Sequence, residues 1–216
     1  MSANGLFLNR GADRFEDASE AWGIAIDARY DTCAFADIDH DGLLDLYVNG
    51  TVTGGVSYRD HVFRNAGNRY LDETPANIRS LEADHGVQWA DYDRDGDADL
   101  ALTGAAAAGM HSLLRNELEH TTAARALHVH VVDPRGNALP GAEVRIYRAG
   151  TRTLLGTGLV DTGSGYNSQN ALPVHFGLAD TTAVDVEVIV PAHGERKITK
   201  LSAVSPSARM VTVRVR

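Results

Sequence analysis

The sequence predicts an all-β protein in two parts: a repeated, acidic first half and a small antiparallel β-sandwich behind it. Three observations carry this. Landmarks in the first half recur once with a period of about 51–56 residues, the range of propeller blades and solenoid units. The second half alternates apolar and polar residues in short runs bounded by turn clusters, the mark of half-buried strands. Charge divides along the same line. Residues 1–120 hold 22 acidic against 9 basic residues, and residues 121–216 hold 7 against 11. Helical spacing is weak throughout.

The 216 residues allow one large or two small domains, and a 44% hydrophobic content is ordinary for a globular chain. No apolar run approaches the roughly 18–20 residues that span a bilayer, so no membrane span is expected. The start, "MSANGLFLNR", shows no basic segment followed by an apolar one, so no signal peptide is expected and the compartment stays open. Cys33 alone cannot form an internal disulfide. Arginine outnumbers lysine 18 to 2, a trait of GC-rich, bacterial coding. An acidic half repels nucleic acid and attracts cations, and the basic residues of the other half are scattered, so no nucleic-acid partner is expected.

From the N-terminus, "LFLNRGADRFEDASEAWGI…CAFADIDHDGLLDLYVNG" recurs as "VFRNAGNRYLDETPANI…VQWADYDRDGDADLALTG". Asn9 aligns with Asn65, Phe15 with Tyr70, Asp37 with Asp91 and Asp45 with Asp99; a third start, "LLRN" at 113–116, stops there. The repeats run over about 4–58 and 59–118, and "LFLN", "CAFAD" and "LDLYVNG" read as strands joined by tight turns. Both repeats carry D-x-D-x-D-G-x-x-D: Asp37, Asp39, Asp41 and Asp45 in one, Asp91, Asp93, Asp95 and Asp99 in the other. Four carboxylates in nine residues repel one another unless a hard cation takes their oxygens. Glycine supplies the sharp turn, and the backbone carbonyls of Leu43 and Asp97 complete the ligand set. The bidentate glutamate of an EF-hand is missing, because Val48 and Leu102 stand in its place, and an apolar strand follows each loop instead of a helix. Two sites for Ca²⁺ between strands are expected. Solvated Asp-Gly turns are the bland alternative, weakened by the second copy in register.

This unit resembles the FG-GAP/VCBS repeat, the blade of integrin-α-like β-propellers, over roughly residues 4–118. The resemblance implies that the four aspartates of each loop are calcium ligands. It also implies an incomplete propeller, since closure takes about 4–8 blades and this stretch supplies two. Uncovered blades would be completed by a longer chain, by the second domain or by a second copy in a homo-oligomer.

Residues 119–125, "EHTTAAR", read as a linker. Beyond them "ALHVHVV", "AEVRIYRA", "AVDVEVIV" and "MVTVRVR" are strands of a sandwich with about seven such runs. Inside it, "LVDTGSGY" matches the catalytic string of aspartic proteases. One Asp-Thr-Gly makes half a dyad, so a protease using Asp161 remains a remote alternative. The longer stretch "GSGYNSQNALPVHFGLAD" resembles the signature of the ASPIC/UnbV domain over about residues 126–216. Gly163, Ser164, Gly165, Tyr166, Ser168, Gln169, His175, Phe176, Gly177 and Leu178 coincide with it, while Val190 stands where a tryptophan is usual. The resemblance implies a domain that follows FG-GAP/VCBS repeats, in proteins that tend to be extracellular or periplasmic and in bacterial proteins tied to enediyne gene clusters.

No established catalytic constellation is visible. Tyr166 and His175 are the weak catalytic candidates. His128 and His130 share a strand face and form a possible metal pair, read here as an ordinary half-exposed pair. Trp22, Tyr30, Tyr58 and Trp89 read as packing residues. The expected function is a calcium-stabilised binding or scaffold protein for a protein, glycan or small molecule. The alternative is a tailoring enzyme or cyclase with its pocket between blades and sandwich.

Overall fold

The structure, a computed structural model, describes residues 5–26, 29–81, 84–104, 111–163, 169–170, 172–192 and 194–216. About half of these residues are in strands and few in helices, the strands forming several antiparallel or mixed sheets with no closed barrel. Among the described residues no helix is long and apolar enough to cross a membrane.

A hairpin of β1 (Phe7–Asn9) and β2 (Phe15–Asp17) comes first and pairs with no further strand among the described residues. Then follow β3 (Tyr30–Ala36), β4 (Asp45–Gly50), the two-residue strands β5 (Val52–Thr53) and β6 (Val56–Ser57), β7 (His61–Asn65) and β8 (Tyr70–Asp72). β3, β4, β7 and β8 make one antiparallel sheet in that order. After a single helical turn, α1 (Ala76–Arg79), β9 (Asp84–Ala90), β10 (Asp99–Gly104) and β11 (His111–Leu114) make a second sheet with β10 in the middle. Each acidic string is the loop between the first two strands of its sheet.

All six residues of β4 are buried, because both of its faces are covered. Successive side chains of a strand point to opposite faces. On one face Tyr47 packs with Ala34, Val62, Val87, Leu100 and Leu102, which join the two sheets. On the other, Leu46 and Val48 pack with Ile24, Phe63 and Tyr70, roofed by Leu6 and Trp22 from the N-terminal segment. That segment therefore covers the face that a preceding unit would otherwise need to cover. Tyr47 is wholly buried, and its hydroxyl donates to Asp60 Oδ2 at 2.5 Å while Asp60 Oδ1 accepts the Gly50 N–H at 2.7 Å. A buried hydroxyl needs such a partner.

The sheets do not coincide with the sequence repeats. The first takes β3 and β4 from the first repeat and β7 and β8 from the second. Likewise the abortive third start, "LLRN", supplies the outer strand β11 of the second sheet.

The predicted linker is structured. A helical turn, α2 (His120–Ala123), buries Ala123 and leads straight into the last unit. That unit comprises β12 (Ala126–Val132), β13 (Glu143–Arg148), β14 (Leu154–Leu159), β15 (Val174–Gly177), β16 (Val184–Ala192), β17 (Glu195–Val204) and β18 (Met210–Arg214). They form a four-stranded sheet, β14-β13-β16-β17, and a three-stranded one, β15-β12-β18. One core joins them, with Leu127, Val129 and Val131 of β12 facing Val144, Ile146, Val186 and Val188. The sandwich is seven-stranded as expected, but it is not purely antiparallel: β12 and β18 run parallel, His128 beside Met210 through Val132 beside Arg214. Period-2 alternation fixes which residues face inward; it carries no information on a partner's direction.

Candidate functional site: two acidic loops and a shared cleft

The two acidic loops have the same backbone. His40 and Arg94 both take a left-handed conformation, φ 57° and 64°, and so do Gly42 and Gly96, φ 89° and 114°. In the first loop the carboxylates fold the chain around themselves. Asp37 accepts the N–H groups of Asp41 (3.1 Å) and Gly42 (2.9 Å), Asp41 Oδ1 accepts that of Leu43 (2.8 Å), and Asp45 Oδ2 accepts that of Ile38 (3.0 Å). Asp45 Oδ1 is also bound by the Asn65 N–H at 2.7 Å. The second loop repeats this closure: Asp99 accepts the N–H groups of Tyr92 (3.1 Å) and Asn116 (2.8 Å). The aligned asparagines Asn65 and Asn116 thus cap the last aspartate of each loop.

Three oxygens converge in each loop. Asp37, Asp39 and Asp45 bring ligand atoms within 4.8 Å of one another, and so do Asp91, Asp93 and Asp99. The middle aspartates, Asp41 and Asp95, stand outside these triads. Burial, with Asp41, Asp39 and Asp45 as like-charged neighbours, pushes Asp37 up to about 7 despite its hydrogen bond from Gly42. Asp45 is pushed up to about 6, again mainly by burial. Such shifts mark carboxylates that lack a compensating positive charge.

The loops differ in their arginines. Arg64 turns away to Glu73, at 2.8 and 3.0 Å. Its counterpart Arg115 has no such glutamate, and reaches Asp93 at 2.8 Å and Asp95 at 2.9 Å. Leu43 and Asp97 were expected to act through their carbonyls. The side chain of Asp97 is itself buried, accepts the Leu118 N–H at 3.1 Å and is pushed up to about 7, chiefly by burial.

Both loops rest on the sandwich, and "HFG" is the point of contact. A Cβ on Gly177 would lie 2.4 Å from Asp37 Oδ2 and 2.7 Å from His40 Cδ2, so only glycine lets β15 approach the first loop. Two residues earlier, His175 Nε2 lies 3.0 Å from the Gly96 carbonyl of the second loop. A carbonyl only accepts, so Nε2 carries the proton. The connector closes the third side: His40 Nδ1 donates to the Thr122 carbonyl at 2.9 Å, and a Cβ on Gly96 would meet the Ala123 carbonyl at 2.4 Å.

Three imidazoles gather here. His128 and His175 are cross-strand partners with ring centroids 4.9 Å apart, and His40 lies 5.4 Å from His175. His128 Nε2 is 3.2 Å from Asp91 Oδ2. Burial lowers the pKa of all three, that of His175 to about 3 with further help from His128 and His40. They are neutral at pH 7. The expectation of a half-exposed His128–His130 pair is thus corrected: His128 is buried against Asp91, and only His130 is half-buried. His175 is a hydrogen-bonded clamp. Tyr166 and Ser168 fall outside the described residues.

Beside this contact a cavity of about 690 Å³ opens between the sheets and the sandwich. Asp37, Asp91, His128 and His175 line it on the side of the loops. Phe35, Leu44, Leu154, Leu159 and Leu172, each at least 39% exposed, line it as well. Trp89 also lines it and stacks edge-on with Tyr47, 6.2 Å between centroids. Trp22 and Tyr30 pack against the first sheet as expected. Asp161 lies on the cavity wall, with burial raising its pKa.

The fold and the site define an all-β, two-part chain with a ligand-sized cleft where the parts meet. Residues 134–212 match the model of the family described as ASPIC and UnbV, which covers most of the sandwich, including "HFGL". No curated protein matches the chain.

Sequence reasoning missed the His40–His128–His175 cluster and the lining of the cleft; a pocket between blades and sandwich was expected only under the enzyme alternative. Their residues are far apart in the chain, and the one available signal was the glycine of "HFG", which marks a close approach without naming what approaches.

Proposed function

We propose that this chain is a calcium-stabilised recognition protein that takes a small molecule in the cleft between its repeat unit and its ASPIC/UnbV domain. The repeat unit is read as FG-GAP/VCBS-like, two blades of a propeller. One observation carries the reading: two Asp triads in matching loops sit at the same seam as a half-open cavity lined by otherwise exposed leucines and phenylalanine. The donors fit a hard cation. They are all carboxylate oxygens, Asp37 and Asp45 are raised by burial with like-charged aspartates as neighbours, and Asp91 Oδ1 is buried with no partner among the described residues. Asp37, Asp39 and Asp45 would hold one ion, and Asp91, Asp93 and Asp99 the other. Bound there, calcium supplies the charge that lets these buried acids stay ionised. The protein's own residues do the rest. Gly177 and His175 pass the position of each loop to β15, and the cleft wall follows.

Melting in excess calcium and in EDTA tests the reading. At a calcium concentration about 100-fold over Kd, each site adds about 2.7 kcal/mol, or roughly 5–11 °C for a chain of this length. An unchanged midpoint refutes the calcium sites.

A further inference from the structure

The walls of the cleft specify what enters it. Three polar atoms on its lining, besides the oxygen of Asp91 assigned to the second loop, are buried without a hydrogen-bond partner among the described residues: Asp161 Oδ1, Asn170 Oδ1 and Trp89 Nε1. Two are acceptors. A buried acceptor left unmade costs about 1–3 kcal/mol, more when it is charged, so a ligand that donates to it gains that much. Among the described residues, Asp161 belongs to no ion pair and no lysine or arginine lines the cleft. Once cations occupy the loops, Asp37 and Asp91 are neutralised, and among the described lining residues Asp161 is the carboxylate still without a counter-charge. Around it the surface is apolar, with Leu159 at 56% exposure and Leu172 at 39% on the same lining, and Leu154 and Phe35 completing it.

We infer that the ligand of this cleft is an apolar molecule carrying a protonated primary amine, with the ammonium held by Asp161 and Asn170 and the hydrocarbon body lying on Leu154, Leu159 and Leu172. An anion fits poorly here. Carboxylates and phosphates would meet only acidic and neutral groups on these walls, and their desolvation would go uncompensated. A neutral alcohol would satisfy the acceptors without the charge. An ammonium offers three donors and the matching sign, and charge-assisted hydrogen bonds are roughly twice as strong as neutral ones. The inference rests on the cleft being a ligand site and adds the class of ligand.

Three matched probes test it: n-octylamine, 1-octanol and octanoate, titrated by calorimetry into calcium-saturated protein at neutral pH, with Trp89 fluorescence as a second readout. The amine is expected to bind at least about tenfold more tightly than the alcohol, and octanoate more weakly than either. Asp161→Asn, near-isosteric and made at a carboxylate with no partner among the described residues, is expected to cost the amine most and the alcohol, which donates a single hydrogen bond, less, and so to close the gap between them. Leu159→Arg, on an exposed wall position, is expected to weaken the amine most. Octanoate binding as well as the amine, or an amine preference that survives Asp161→Asn, overturns the inference. If the alcohol binds and the amine gains nothing, the ligand class is wrong and the cleft stands. If none of the three binds, the cleft reading falls and the inference with it. Repeating the titrations in EDTA separates both outcomes from the calcium reading.

Discussion

Replacing Gly177 with alanine is the sharpest test of how the two parts meet. The backbone there is not left-handed, so alanine meets no conformational penalty, and the whole effect must come from contact. The added methyl would sit 2.4 Å from Asp37 Oδ2 and 2.7 Å from both Asp37 Cγ and His40 Cδ2. Asp37 is tied by the N–H groups of Asp41 and Gly42, and His40 by the Thr122 carbonyl, so neither yields without giving up hydrogen bonds. Overpacking of this kind costs about 1–3 kcal/mol, roughly 2–12 °C in midpoint for a chain of this length. Denaturant melts of the wild type, Gly177→Ala, Asp37→Ser and the double variant give the coupling, expected at about 0.5–3 kcal/mol with the double variant recovering part of the loss. On the proposed calcium reading, the affinity of the first loop should fall together with stability, because the displaced oxygen belongs to the proposed ligand set. A Gly177→Ala protein as stable as wild type, with unchanged calcium affinity, would mean that β15 does not rest on the loop.

Other outcomes follow from the same contacts. In EDTA, Asp37 and Asp45 hold protons in the folded state that the unfolded chain releases, so their share of stability grows as pH falls from about 7 toward 4. Calcium needs those carboxylates ionised, so the gap in midpoint between calcium and EDTA should shrink from about pH 7.5 to about pH 5; a constant gap refutes this. Arg115→Ala frees Asp93 and Asp95, and should raise the calcium affinity of the second loop up to about fivefold, read by calorimetry in an Asp39→Ala background. Glu73→Ala should do the reverse to the first loop, by releasing Arg64 toward it. His175→Ala loses the donor to the Gly96 carbonyl and the rings packed on it, for about 2–4 kcal/mol of stability in chemical denaturation.

How much of this was legible follows from how far apart the interacting residues lie. The acidic loops were readable because each spends its chemistry within nine residues, and the glycines at 42 and 96 announce the turn that both loops make. Alternation in β12, β13 and β16 was enough to predict a sandwich but not to sort core from surface throughout, since every residue of β12 except His130 is buried. It could not show that β12 lies parallel to β18, since direction leaves no mark on a period of two. The seam was harder still. His175 meets Gly96 across 79 residues, and His40 meets Thr122 across 82. Nothing local distinguishes a histidine that will be buried against another unit from one that stays wet. Asp161 shows the same limit from the other side: nothing in its four-residue string places it on the wall of the cleft.

The offset between repeat and sheet has a bearing on how such a chain changes over generations. Because the second repeat lends its opening hairpin, and the third start its one strand, to the sheet before it, the sequence period and the chain's unit of folding are out of phase. Deleting or duplicating one whole period joins an opening hairpin to another β-pair of the same kind, with the capping asparagine arriving at the same last aspartate of its loop. A break at the period boundary near residue 58 instead separates β4 from β7 and leaves two unfinished sheets. Length can therefore vary by whole periods without a new seam having to be invented, while a single cut between periods is the costly event.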